Sequence, residues 1–219
     1  MSSFETIDVG ESVFDRNEEL AAVFNETLTQ KSVFCVNVLG APGVGKTTSL
    51  LRILQNLGSP ACVIEGDIES DIDTQKLKAL GFPAVQINTG GACHLDVPFV
   101  ADAFEELSFS NGFMFIENIG NLICPVSYLL GEHIRLLICA VTDGSDKPYK
   151  YPHAFEEADI ILLNKCDLIN YTNFDMKYFR DGISKLNPGV PVFMVSGETG
   201  DGFDEVVKWL QNKARPVIA

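Results

Sequence analysis

The run Gly40-Ala41-Pro42-Gly43-Val44-Gly45-Lys46-Thr47 constrains this chain most, because it has to join a strand to a helix. An apolar stretch, Val33–Leu39, precedes it and a helical pattern over 46–57 follows it. In that setting the glycines let backbone N–H groups turn onto phosphate oxygens, and the helix adds the positive end of its dipole. Gly40, Gly43, Val44 and Gly45, with Thr48 in the first helical turn, are therefore expected to cradle phosphates. Lys46 is placed to reach the β- and γ-phosphates, and the Thr47 hydroxyl to ligate Mg2+.

The rest of the chain agrees with a strand–helix alternation. Strands are expected at Val33–Leu39, Ala61–Glu65, Ala84–Ile87, Gly112–Glu117, Arg135–Val141, Ile160–Asn164 and Val190–Val195. They read as continuous apolar runs, as strands covered on both faces do. Helices are expected around 46–57, 71–80, 96–107, 174–186 and 203–213, with an extra N-terminal helix over about 14–29. The fold class is α/β, a mostly parallel sheet of about seven strands with helices on both faces, of the P-loop NTPase type. Neither repeats nor a linker divide it, so 1–219 reads as a single domain.

A formal net charge of −14 argues against a nucleic-acid partner, whose affinity comes from Lys and Arg on phosphates. A single nucleotide is compatible with it, because backbone N–H groups supply the local attraction. No apolar run has the roughly 18 residues of a membrane span. The acidic first thirty residues do not resemble a signal peptide, so the expected compartment is the cytoplasm. Of the six cysteines, Cys35, Cys62 and Cys139 lie in strand-like runs and are expected to be buried small hydrophobes.

Asn164-Lys165-Cys166-Asp167 closes another strand and is expected to select guanine. An ionised Asp167 carboxylate accepts from the adjacent N1 and N2 donors of guanine, a pair that adenine lacks. The Lys165 stem can pack on the base, and Asn164 can tie this loop to the phosphate loop. Ser196 and Gly197, after the last strand, are expected to back the guanine with a backbone N–H. Asp67 can hold Mg2+ through water or orient the attacking water. Glu117 stands where an aspartate stands in the small signalling GTPases, so its direct ligation is an open point. Gly120 can sense the γ-phosphate through its N–H. Asn121 rather than a glutamine follows it, which predicts slow intrinsic turnover of GTP to GDP.

Two further segments, Thr89–Asp96 and Glu117–Pro125, carry Cys93, His94 and Cys124. These donors suit Zn2+ or Ni2+ but are one short of a closed tetrahedral site. Such a trio taken bare is more often structural than metal-binding. Its connectivity favours a metal: Glu117 and Cys124 are seven positions apart, at most about 25 Å, with Gly120 between them. Motion of this loop on GTP binding has to move Cys124.

The chain resembles the hydrogenase nickel-incorporation GTPases, the HypB family of the SIMIBI class. The residues that carry this are Gly40–Thr48, Cys93-His94-Leu95-Asp96, Glu117–Pro125, Lys150-Tyr151-Pro152 with Phe155, Asn164–Asp167, and the opening Val9-Gly10-Glu11 and Asn17–Ala21. The resemblance implies a GTP-dependent homodimer with Cys93, His94 and Cys124 of both subunits forming a Ni2+ or Zn2+ site at the interface. It implies delivery of nickel to a hydrogenase large-subunit precursor beside a partner nickel metallochaperone. It also brings Lys147 or Lys150 near the neighbouring subunit's nucleotide. The first cysteine is Cys35 and the histidines are scattered, so an N-terminal nickel store is not expected. Two alternatives stay open: a related GTPase serving another metallocentre, such as urease or a cobalamin enzyme, and a regulatory GTPase whose cysteines are structural.

Overall fold

The computed structural model describes residues 9–67 and 72–218, with side chains for 16–66 and 74–218. The elements in chain order are α1 (Val9–Gln30), β1 (Val33–Gly40), α2 (Lys46–Leu57), β2 (Ala61–Asp67), α3 (Ile72–Ala79), β3 (Ala84–Asn88), α4 (Val97–Leu107) and β4 (Gly112–Glu117). They continue with β5 (Ile134–Ala140), α5 (Lys147–Lys150), α6 (Pro152–Glu156), β6 (Ile160–Asn164), α7 (Met176–Leu186), β7 (Val192–Met194) and α8 (Phe203–Ala214). The seven strands form one sheet in the order β3-β2-β4-β1-β5-β6-β7, and every pairing is parallel. This is the α/β P-loop architecture that the sequence predicts.

The apolar spacing of the helices decides which face each one covers. On α2, Leu50, Ile53, Leu54 and Leu57 are buried, and on α8, Phe203, Val206, Val207 and Leu210. Both sets follow the i, i+3, i+4, i+7 spacing of one helix face, and both pack into the same cluster over one side of the sheet. The other side is divided: α1 and α4 cover the β2 and β4 end, and α6 and α7 cover β5 and β6. Central strands β1, β4, β5 and β6 are buried along their whole length. The edge strands β3 and β7 are only partly so.

Several boundaries differ from the expected ones. Helix α1 begins at Val9 instead of about 14, because the apolar spacing that marks a helix from sequence starts only at Phe14. Its buried side chains, Asn17, Ala21, Phe24 and Leu28, are spaced for one face. Strand β7 is shorter than Val190–Val195, since β6 pairs only with Val192, Phe193 and Met194. Helix α7 starts at 176, where the Asp175 carboxylate accepts from the Tyr178 N–H. Helices α5 and α6 are additional.

Register brings three strand ends to one edge of the sheet. Val38 lies beside Glu117, Gly40 beside Ile138, and Ala140 beside Asn164. The C-terminal ends of β1, β4 and β6 therefore meet where ligands bind in open α/β sheets.

Candidate nucleotide and metal site

The loop between β1 and α2 is closed tightly around its own backbone. A Cβ on Gly40 would lie 2.8 Å from the Ile138 carbonyl oxygen, and one on Gly45 2.5 Å from Asn164 Nδ2. Gly45 also has φ of 91°, the left-handed region that glycine tolerates best. Asn164 Nδ2 donates to the Val44 carbonyl at 2.8 Å, and its Oδ1 accepts from the Gly197 N–H at 3.0 Å. One side chain thus joins the phosphate loop, the end of β6 and the loop after β7. Lys165, at φ 60°, donates from Nζ to the Gly43 carbonyl at 2.7 Å. Lys46 Nζ reaches back to the Gly40 carbonyl at 3.5 Å, lying over the loop where phosphates are expected.

A cavity of about 360 Å3 opens beside this loop, lined by Gly45, Thr48, Asn164, Lys165, Asp167, Leu168, Gly197 and Glu198. Ser196 Oγ donates to Asp167 Oδ1 at 2.6 Å. A carboxylate oxygen retains a further lone pair, so Asp167 keeps acceptor capacity for a base edge. Ser196 and Gly197 are also held by bonds that the sequence does not disclose. Their own N–H groups are engaged within the chain, Ser196 with the Asp201 carbonyl and Gly197 with Asn164. These bonds tie both residues to Asp167 and Asn164, the two side chains read for the guanine loop. Arg52, on α2, was also missed: its guanidinium donates to the carbonyls of Gly197 at 2.9 Å and Glu198 at 2.8 Å. A lone arginine on a helix face carries no sequence signal for that role.

At the end of β4 the Glu117 carboxylate is buried and accepts from the Thr47 hydroxyl at 2.8 Å. Two hard oxygen donors beside a phosphate cradle fit Mg2+. Asp67 closes β2 opposite Asn88; its side chain lies outside the described ones. Gly120 packs on the phosphate loop, where a Cβ would stand 3.1 Å from Pro42 Cγ. An isolated bridge pairs Gly40 with Asn121. The loop after β4 is therefore attached to the phosphate loop at both Glu117 and Asn121.

Beneath it lies a buried polar chain that the sequence did not disclose. The Ile119 N–H donates to Asn118 Oδ1 at 2.9 Å, and Asn118 Nδ2 to Asn37 Oδ1 at 3.1 Å. Asn37 Nδ2 in turn donates to Glu132 Oε1 at 3.1 Å, which also pairs with Arg135 Nε at 2.8 Å. From sequence, polar residues scattered in strand runs have no visible partners.

The expected metal ligands lie close together on the surface. Cys93 is exposed, and Cys124 is half-buried at the start of a short 3-10 turn, Cys124–Ser127. Interaction with the Cys124 thiol holds the Cys93 thiol above its ordinary range. Cys93 Sγ is 3.6 Å from His94 Nδ1. Next to them Leu95 is buried against Gly66, whose Cβ would meet Leu95 Cδ1 at 2.8 Å. Among the described residues, no group of three or more His, Cys, Asp or Glu is arranged to hold a metal. The donor chemistry suits a soft or borderline ion. Cys35, Cys62 and Cys139 are buried as expected, and burial pushes all three thiols up.

Lys147 and Lys150 are both engaged within the chain, Lys147 over the Tyr151 ring at 5.4 Å and Lys150 with Asp146 at 2.6 Å. No described helix is long and apolar enough to cross a membrane.

Comparison with known proteins agrees with this geometry. The CobW/HypB/UreG nucleotide-binding domain model matches residues 34–194. The hydrogenase maturation factor HypB of Escherichia coli (strain K12) is 40% identical over 216 residues, covering 97% of this chain and 74% of that protein. The hydrogenase/urease maturation factor HypB of Helicobacter pylori (strain J99) is 33% identical over 218 residues, covering 97% and 90%. The solved structure of HypB from Helicobacter pylori in complex with nickel superposes with a TM-score of 0.88 at 33% identity, covering 93% of this chain and 97% of that one. HypB from Archaeoglobus fulgidus gives 0.85 at 32%, covering 91% and 99%. The signal recognition particle receptor FtsY from Elizabethkingia anophelis, at 0.54 and 16%, shares the fold alone. The chain belongs to the HypB maturation-factor family, within the CobW/HypB/UreG group of P-loop nucleotide-binding proteins.

Proposed function

We propose that this protein hydrolyses GTP to GDP and phosphate and uses that cycle to deliver nickel during [NiFe]-hydrogenase maturation. The observation that carries the reading is the Glu117–Cys124 segment. One end is bonded to Thr47 in the phosphate loop, and the other presents a thiol to Cys93. Asp167, oriented by Ser196, selects guanine, while the phosphate loop and Lys46 take the phosphates. Thr47 and Glu117, with Asp67, would hold Mg2+, which when bound neutralises charge on the β- and γ-phosphate oxygens. Gly120, already against Pro42, is placed to exchange that contact for one to the γ-phosphate, and its displacement is passed along the chain to Cys124.

In this reading GTP favours a homodimer, and Cys93, His94 and Cys124 of two copies complete the Ni2+ or Zn2+ site that one copy leaves incomplete. Lys147 and Lys150 lie near that interface. The partners are a hydrogenase large-subunit precursor and a second nickel metallochaperone, and the compartment is the cytoplasm. The Helicobacter pylori relative is a hydrogenase/urease maturation factor, which favours a second reading in which the client is another nickel enzyme. Phosphate release measured with GTP and ATP, alongside molecular mass by light scattering, tests the first steps. Slow, GTP-selective release with a dimer in the GTP-analogue form supports the reading; equal use of ATP, or a monomer in every nucleotide state, contradicts it.

A further inference from the structure

The His94 imidazole lies flat on the ring of Tyr128, with centroids 3.9 Å apart and planes inclined by 15°. Tyr128 immediately follows the 3-10 turn that begins at Cys124. The two rings therefore come from different loops, and their stack joins the Cys93–His94 loop to the Cys124 loop. The loop after Tyr128 is itself anchored, because Asn17 Nδ2 on α1 donates to the Leu129 carbonyl at 2.9 Å. The Leu130 N–H donates to Glu132 Oε2 at 2.6 Å. Tyr128 is thus a supported platform, whereas Cys93 sits in an exposed turn.

The stack fixes the plane of the imidazole, whose Nδ1 stands 3.6 Å from Cys93 Sγ. A metal bonded to both has about 2.3 Å to sulfur and about 2.0–2.1 Å to nitrogen, which at a tetrahedral angle spaces the donors about 3.6 Å apart. At the right angle of a square plane, the geometry that Ni2+ takes with such ligands, the same bonds bring the donors to about 3.1 Å. The 3.6 Å hydrogen-bond spacing of the two donors equals the tetrahedral value. A square-planar ion requires the thiol or the ring to shift by about 0.5 Å against the stack.

We propose that Tyr128 is a positioning residue for His94, setting the donor spacing and biasing the site toward a tetrahedral divalent ion over a square-planar one. The inference rests on the metal reading of Cys93, His94 and Cys124 given above. It acts through ring orientation, as partners behind a metal ligand commonly do, and not through contact with the ion.

The test is competition of Zn2+ and Ni2+ against a chromophoric chelator, using the full chain as wild type, Tyr128→Leu, Tyr128→Phe, His94→Ala, the Tyr128→Leu/His94→Ala pair and Cys93→Ala. Visible spectra of the Ni2+ forms report coordination geometry. Tyr128→Leu is expected to weaken Zn2+ about tenfold and to change Ni2+ by no more than about threefold. Tyr128→Phe, which keeps the ring, holds the wild-type ratio and separates lost stacking from lost folding. In the His94→Ala background, Tyr128→Leu has no further effect. An unchanged Zn2+ to Ni2+ ratio in Tyr128→Leu, or an equal shift with His94 absent, overturns the positioning role while leaving the metal site standing. Unchanged binding in Cys93→Ala overturns the metal reading itself.

Discussion

The proposed guanine end and the proposed metal end lie in one protein and are built on opposite plans. At the guanine end each recognition residue is held by another element: Asn164 by the Val44 carbonyl and the Gly197 N–H, Asp167 by Ser196, and the supporting loop by Arg52. At the proposed metal end the donors are held by an interaction between the Cys93 and Cys124 thiols, a 3.6 Å thiol–imidazole contact and one ring stack. Preorganised donors bind without a cost of rearrangement, which suits a nucleotide that must be recognised accurately. Lightly held ligands form a site that is completed and released by moving one loop, which suits a cargo that must leave. Between the two lies the Glu117–Cys124 segment, rooted below in the Asn118–Asn37–Glu132 chain.

Three substitutions would break or sharpen this contrast. The largest effect is expected at the root: Glu132→Ala takes from the buried Arg135 its 2.8 Å partner, leaving only the exposed Glu157 at 3.4 Å, and should cost about 3–5 kcal/mol of stability in chemical denaturation. A loss below about 1 kcal/mol would mean that the segment is not rooted there. Next, Asp167→Asn replaces one acceptor with a donor against guanine. It should weaken GDP binding by about 3 kcal/mol, some hundredfold or more, by calorimetry. Xanthosine diphosphate, whose altered edge accepts where guanine donates, should bind better to this variant than GDP does. The smallest effect belongs to Ser196→Ala, which removes only the support of Asp167. About 1 kcal/mol, or roughly fivefold in GDP affinity, is expected with Zn2+ binding unchanged. A Ser196→Ala loss as large as that of Asp167→Asn would show that Ser196 contacts the nucleotide itself.

The fold was legible because the central strands are apolar runs, and burial on both faces leaves that pattern in the sequence. Helices α5 and α6 escaped because Pro148 and Pro152 look like breakers. Both stand in the first turn of a helix, where the missing N–H has no partner to lose. The phosphate-loop motif was legible because its chemistry demands fixed residue types at fixed spacing, and the residues read for guanine rest on the same kind of pattern. The bonds around them were not legible: Arg52, Asn37, Asn118 and Glu132 reach partners far away in sequence, as do the bonds of Ser196 and Gly197 to Asp167 and Asn164. The closeness of Cys93 to Cys124 depends on the β3–α4 and β4–β5 loops meeting at one edge, which no local pattern encodes.

The central claim is that nucleotide state and metal affinity are coupled through the Glu117–Cys124 segment. Its direct test is titration of Ni2+ and Zn2+ into the GDP form and into a non-hydrolysable GTP-analogue form, with Cys93→Ala and Cys124→Ala as controls. The account predicts affinities that differ between the two forms by about 5- to 150-fold, the range of ordinary site–site coupling, and a difference that vanishes in both variants. Identical metal binding in the two nucleotide forms, or variants that bind as the parent does, would contradict it and favour a regulatory GTPase with structural cysteines.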